Sequence, residues 1–287
     1  MNDKPQKPMY QNERMSRLAK WFFGIPLIYT LWRFFSVAMP SYAESPRMEI
    51  LLNIIGYALF IAIAILVVQR FLNFPAKRML GEDGKLDWRG FAIGFAVMLG
   101  VQLSMNFIAM AVNPQDFKYT LDAQGWILDW TLALVLVVAA AFLEELLTRA
   151  YIAHFVNDDM ETRPLNMLYY CLASALLFAI AHFSNPEVAG SGAFYAMAFY
   201  FMMGFVLMFV TLRTRSMGAA LGIHIANNLV NAWFFTYDNA AVKTNALYTQ
   251  ANNEGPMLLV QAAISLAVCT LAVLYHRPMS QPKESSK

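Results

Sequence analysis

The chain has 287 residues, of which 59% are hydrophobic, 14% aromatic and only 14% charged. Soluble domains average ~25% charged and ~45–50% apolar residues, so the composition argues against any water-soluble domain arrangement. The near-balance of 21 Lys and Arg against 19 Asp and Glu leaves no bulk field for nucleic acid, and Cys171 and Cys269, both in apolar runs, form neither a disulfide framework nor a metal pair.

A basic leader over 1–20 comes first. A spanning helix needs about 20 mostly apolar residues to cross a hydrocarbon layer ~30 Å thick. Eight stretches qualify: 21–39, 50–68, 91–112, 126–151, 165–183, 194–212, 217–235 and 257–275. A polar tail over 277–287 follows. The expected fold is all-α, a polytopic membrane bundle of about eight helices over 21–276, with no strand-like alternation. Trp21, Trp88, Trp126 and Trp130 sit near segment ends, where indole rings favour the headgroup layer. The basic start, the first apolar run and Ser41-Tyr42-Ala43 resemble a cleavable signal. Arg33 interrupts that run, however, and the long charged leader favours a retained helix.

Lys and Arg placement sets orientation. With the N-terminus cytoplasmic, 17 of the 21 cations fall on the inner side, among them Arg70, Lys77, Arg78, Lys85, Arg89, Arg213 and Arg215. Arg47, Lys118 and Lys243 fall outside, and Arg33 lies within the first segment. Both termini are therefore expected to be cytoplasmic, in a plasma (inner) membrane.

Intramembrane polar residues mark where the chemistry sits. Glu144 and Glu145 lie in the fourth segment, and Glu145 and Arg149 are i,i+4 in the favourable order for a helical ion pair. Glu144 is rotated ~100° from Glu145, so the two cannot share one Arg on the same helix. In the fifth segment Phe178 and His182 share a face at i,i+4. In the seventh, His224, Asn227, Asn228 and Asn231 form one polar stripe. Each cluster alone also fits interhelical packing. Together they supply the parts of a hydrolytic centre: Glu144 as general base on water, His182 to orient that water, and His224 and Asn228 as oxyanion donors. His154 and His276 lie near predicted cytoplasmic ends, where interfacial anchoring suffices for them.

The order E-E-x-x-x-R, F-x-x-x-H, H-x-x-x-N on successive membrane helices resembles the CPBP family. That family includes CAAX prenyl endopeptidases of the Ras-converting type and bacterial proteins linked to bacteriocin processing and self-immunity. Here the motifs read Glu144-Glu145…Arg149, Phe178…His182 and His224…Asn228, within a core of about 126–235 in helices 4–7. The resemblance implies an intramembrane endopeptidase acting on a membrane-associated peptide or protein, with the lipid bilayer as its other partner. It implies Glu144, Glu145, Arg149, His182, His224 and Asn228 as the site. Family members have been described both as metalloproteases and as glutamate-dependent enzymes. A carboxylate and two imidazoles also suit zinc with an open position, whereas Asn228 four residues after His224 favours an oxyanion pair and no cofactor. A non-enzymatic immunity factor or scaffold on the same fold is the alternative, and a transporter is disfavoured by the lack of an internal repeat. Neither oligomeric state nor substrate is readable.

Two geometric expectations follow. The Glu144 carboxylate should lie within about two hydrogen-bond lengths, ~6 Å, of both imidazoles. The loop 184–192 should dip below the outer surface and roof a cavity that opens toward the cytoplasmic side.

Overall fold

A computed structural model of the chain describes residues 22–24, 43, 45–154, 163–189, 192–251 and 255–276. The leader, most of the first expected segment with Arg33, and the tail lie outside these residues. Helix α1 (Pro46–Leu66) starts where Ser45 caps the backbone of Met48 and Pro46 occupies the first turn, a strong start signal. Next come α2 (Trp88–Val112), α3 (Trp126–Glu145), α4 (Pro164–His182), α5 (Ala193–Thr214), α6 (Gly218–Leu229) and α7 (Pro256–Tyr275). Helices α1, α3 and α6 each continue into a five-residue π-turn, at Val67–Phe71, Leu146–Ala150 and Val230–Phe234. Two of these turns flank the motif residues, a common setting for functional side chains.

Six of the described helices are long and apolar enough to cross a membrane, so the molecule is a polytopic helical bundle. The eight expected segments are not all recovered as such. The first falls outside the described residues, and the seventh is α6, a 12-residue helix wrapped by α2, α3 and α5. Every residue from Gly218 to Asn227 on α6 is buried, so it never meets lipid and needs neither full spanning length nor uniform hydropathy.

Close approach of α2 and α6 rests on two facing small-residue pairs, Gly90 with Gly94 and Gly218 with Gly222. A Cβ on Gly94 would stand 2.7 Å from the carbonyl oxygen of Ala219, and one on Gly222 would collide with that of Phe91. Such pairs let membrane helices pack backbone to backbone. A fully buried cluster of Phe60, Met79, Leu143, Tyr151 and Met217 closes the bundle at the end carrying Arg78, Lys85 and Arg215. At that end the Arg215 guanidinium pairs with Glu82 at 2.7 Å.

The opposite end carries a small sheet absent from the sequence expectation. Strand β1 (Phe117–Tyr119) runs antiparallel to β3 (Tyr248–Gln250), and β2 (Phe235–Tyr237) runs parallel to β3, in the order β1-β3-β2. Trp130, expected as an interfacial anchor, instead stacks on Trp233 at 5.3 Å and donates to the carbonyl of Asn245 at 2.9 Å. It thereby ties α3 to the turn after α6.

Candidate active site

Glu144 and Glu145 end α3 and diverge. Glu145 points into the core with no exposed side-chain surface, where its Oε2 lies 3.2 Å from Nε of the equally buried Arg149. Its Oε1 lies 2.8 Å from Nδ1 of His224. Arg149 also donates to the Thr148 hydroxyl, and its guanidinium sits 4.3 Å over the Phe178 ring. Arg149, Glu145 and His224 thus form one buried chain that reaches the cavity wall at His224.

Glu144 faces the other way, into a cavity of about 400 Å³. Its Oε2 lies 3.7 Å from Nε2 of His182 and 3.6 Å from Nε2 of His224, and makes no hydrogen bond among the described residues. Both separations exceed a direct hydrogen bond. Each ring is held by its other nitrogen. Nδ1 of His182 is 2.7 Å from the Phe178 carbonyl oxygen, which can only accept, so Nδ1 carries the proton. Phe178 packs on His182 at 4.4 Å and edge-on to His224 at 5.6 Å, while Tyr200 of α5 stacks on His182 at 4.1 Å.

Asn228 lines the same cavity one turn beyond His224. Its Oδ1 accepts from Asn227 at 3.1 Å, and Asn227 in turn accepts from Gln102 of α2 at 3.4 Å. That relay turns the Asn228 amino group away from its neighbour. Of the six expected site residues, the structure brings Glu144, His182, His224 and Asn228 to one chamber. Glu145 and Arg149 stand behind it.

The chamber reaches the surface beside Glu49 and Val242, at the sheet-bearing end. Among the described residues its lining does not reach the basic end, where Arg149, Tyr151 and His154 are buried. His154 itself is not interfacial: it is fully buried, against Phe74 and the Arg78 carbonyl. The loop after α4 does line the chamber, through Asn185, Pro186 and Glu187.

Several lining residues were missed from sequence. Glu49, Asn53 and Tyr57 form an i,i+4,i+8 polar stripe on α1 facing the chamber, a signal of the same kind as the one read on α6. Glu187 is another; the Tyr200 and Asn185 side chains both donate to its Oε1. Burial and the nearby Glu187 charge push the Tyr237 phenol above its ordinary range, keeping it a neutral donor. Among the described residues, no group of three or more His, Cys, Asp or Glu is arranged to hold a metal ion.

Residues 126–230 match the family model of type II CAAX prenyl endopeptidases, Rce1-like. The matched segment contains all three motifs that carry the resemblance, Glu144-Glu145…Arg149, Phe178…His182 and His224…Asn228. The chain is also 25% identical over 246 residues to a Bacillus subtilis (strain 168) protein described as "Uncharacterized protein YyaK", covering 85% of this chain and 81% of that protein. No solved structure matches.

Proposed function

We propose that this protein is an intramembrane endopeptidase of glutamate type that cuts a peptide bond in a membrane-associated substrate. The observation that carries the reading is one carboxylate oxygen flanked by two imidazoles at 3.6 and 3.7 Å in the wall of a chamber of about 400 Å³. Glu144 takes a proton from a water held between it and Nε2 of His182, and the resulting hydroxide attacks the substrate carbonyl carbon. The carbonyl oxygen becomes an oxyanion, met by the Asn228 amino group and by N–H at Nε2 of His224. Nε2 of His224 is free to donate because its Nδ1 is engaged by the Glu145 carboxyl at 2.8 Å. Arg149 fixes Glu145 in turn. Collapse of the intermediate breaks the C–N bond, and Glu144 returns its proton to the leaving amine.

The substrate class that the family name suggests is a prenylated CAAX tail; a bacteriocin or leader peptide is the other that the motif resemblance offers. With the basic loops cytoplasmic in a plasma membrane, the chamber mouth faces the opposite side, which favours the second. Glu144→Gln tests the reading. The variant should fold and melt like the parent, since Oε2 makes no hydrogen bond to lose, yet cleave membrane peptides at least ~10³-fold more slowly. A scaffold or immunity factor would be indifferent to the change. Cleavage should survive exhaustive chelation, and its loss together with recovery on adding zinc would replace this mechanism with a metal-dependent one.

A further inference from the structure

Glu187 is a chamber carboxylate that the hydrolytic mechanism leaves without a task, and unlike Glu49 at the mouth it has a carboxylate oxygen buried without a described partner. It sits in the loop after α4 and borders both the main chamber and a side pocket of about 70 Å³. Tyr200 and Asn185 hold its Oε1, whereas its Oε2 is sealed from solvent with no hydrogen-bond partner among the described residues. The side pocket is also lined by the carboxamides of Gln102, Asn106, Asn231 and Gln261 and by Tyr237, with Phe199, Leu258 and Ala262 among its apolar residues. Neither cavity has a Lys or Arg among its described lining residues.

An ionised carboxylate taken from water costs several kcal/mol unless something offsets its charge. A loop glutamate near the mouth would be free to turn outward, yet two side chains on separate elements fix it inward. The carboxamides supply neutral donors and acceptors to a hydrogen-bonding cation head, and the apolar residues beside them can take the methylene stem that carries it. A water occupies ~30 Å³, so the side pocket has room for one ammonium head or about two waters. Tyr200 stacks directly on His182, so Glu187 is one side chain away from the water-activating pair. In an extended peptide that gap corresponds to two or three residues, at ~3.4 Å each.

We propose that Glu187 is a cation-recognising subsite, which takes the ammonium or guanidinium group of a Lys or Arg side chain two or three residues from the bond that is cut. The subsite deepens the endopeptidase reading and rests on it for the position of that bond. Recognition of the cation does not depend on turnover, so the two ideas separate in one experiment.

Fluorescein-labelled decapeptides of a single Ala/Leu sequence, each with one central Lys, norleucine or Glu, are titrated against the full-length protein in nanodiscs by anisotropy. The protein is used both unmodified and with Glu144→Gln. The Lys peptide should bind at least ~10-fold tighter than the norleucine peptide, with the Glu peptide weakest, whether or not Glu144 is present. Glu187→Gln should bring the Lys-to-norleucine ratio close to one, and Glu187→Lys should favour the Glu peptide. A ratio near one in the unmodified protein overturns the proposal, even if neither variant folds. A ratio that survives Glu187→Gln overturns it too and leaves Glu187 only positioning His182 through Tyr200. Charge-dependent binding without any cleavage would keep the subsite and remove the endopeptidase reading.

Discussion

Replacing Arg149 by Met strips a fully buried cation from three partners at once. Those partners are Glu145 at 3.2 Å, the Thr148 hydroxyl, and the Phe178 ring at 4.3 Å. Met keeps an unbranched apolar stem in the space, so the chief loss is charge and not volume. Glu145 is then left sealed in the core with His224 as its remaining described partner. Breaking a buried pair from one side costs about 3–5 kcal/mol, and a desolvated cation–π contact is worth ~2 kcal/mol. The two overlap, so about 4 kcal/mol is expected. At ~2–4 °C per kcal/mol for a chain of this size class, the melting temperature in detergent should fall by ~8–16 °C, read by intrinsic tryptophan fluorescence. The paired change Glu145→Gln with Arg149→Met abandons neither charge, and it should recover at least half of that loss because contacting residues are not additive. Hydrolysis should stay low in the pair, since His224 has lost its carboxylate. An Arg149→Met protein melting within ~2 °C of the parent, or a double variant equal to the sum of its singles, would refute the buried-chain account.

Asn228→Ala should lower turnover by ~10²-fold with little change in melting temperature, the scale expected for one oxyanion donor; unchanged turnover removes it from the mechanism. Single-cysteine proteins, with Cys171 and Cys269 replaced by Ala, report which way the chamber faces. Val242→Cys at the mouth should react with a membrane-impermeant maleimide on intact cells, and Lys85→Cys at the basic end only after permeabilisation. The reverse pattern would turn the molecule over.

Long apolar helices were legible because a lipid-facing wall must be hydrophobic over its full length, and the segments at 50–68, 91–112, 126–151, 165–183, 194–212 and 257–275 return as helices with edges shifted by a few residues. The α6 polar stripe was legible for the opposite reason: three carboxamides and an imidazole on one face cannot be left in hydrocarbon. That α6 is a short central helix was not, because hydropathy does not distinguish burial in protein from burial in lipid. The facing glycine pairs at 90/94 and 218/222 could have suggested the tight α2–α6 contact, since four-residue spacing is a local signal. The three-residue strands leave too short a pattern to detect. Glu187 lies in a loop, where a charge looks ordinary until the fold brings Tyr200 and Asn185 around it. The direction of the chamber mouth depends on which end the buried side chains seal, and that is a property of packing between distant segments.

Peptide hydrolysis inside a bilayer needs two reactants with opposite solubilities in the same small space. The chamber meets this need with unlike walls. Asn227 and Asn228 on α6 and Asn231 in the turn that continues it, followed by Thr236 and Tyr237, form one side, and Ala133, Leu136, Val137 and Ala140 on α3 form the other. Water can wet the first wall from the mouth down to Glu144, while the second stays as dry as the lipid outside. An extended peptide alternates its side chains between two faces, so its greasy face can lie on α3 while its carbonyls turn toward the carboxamides. The reaction then takes place at an oil–water boundary one peptide wide, built by the protein and held still.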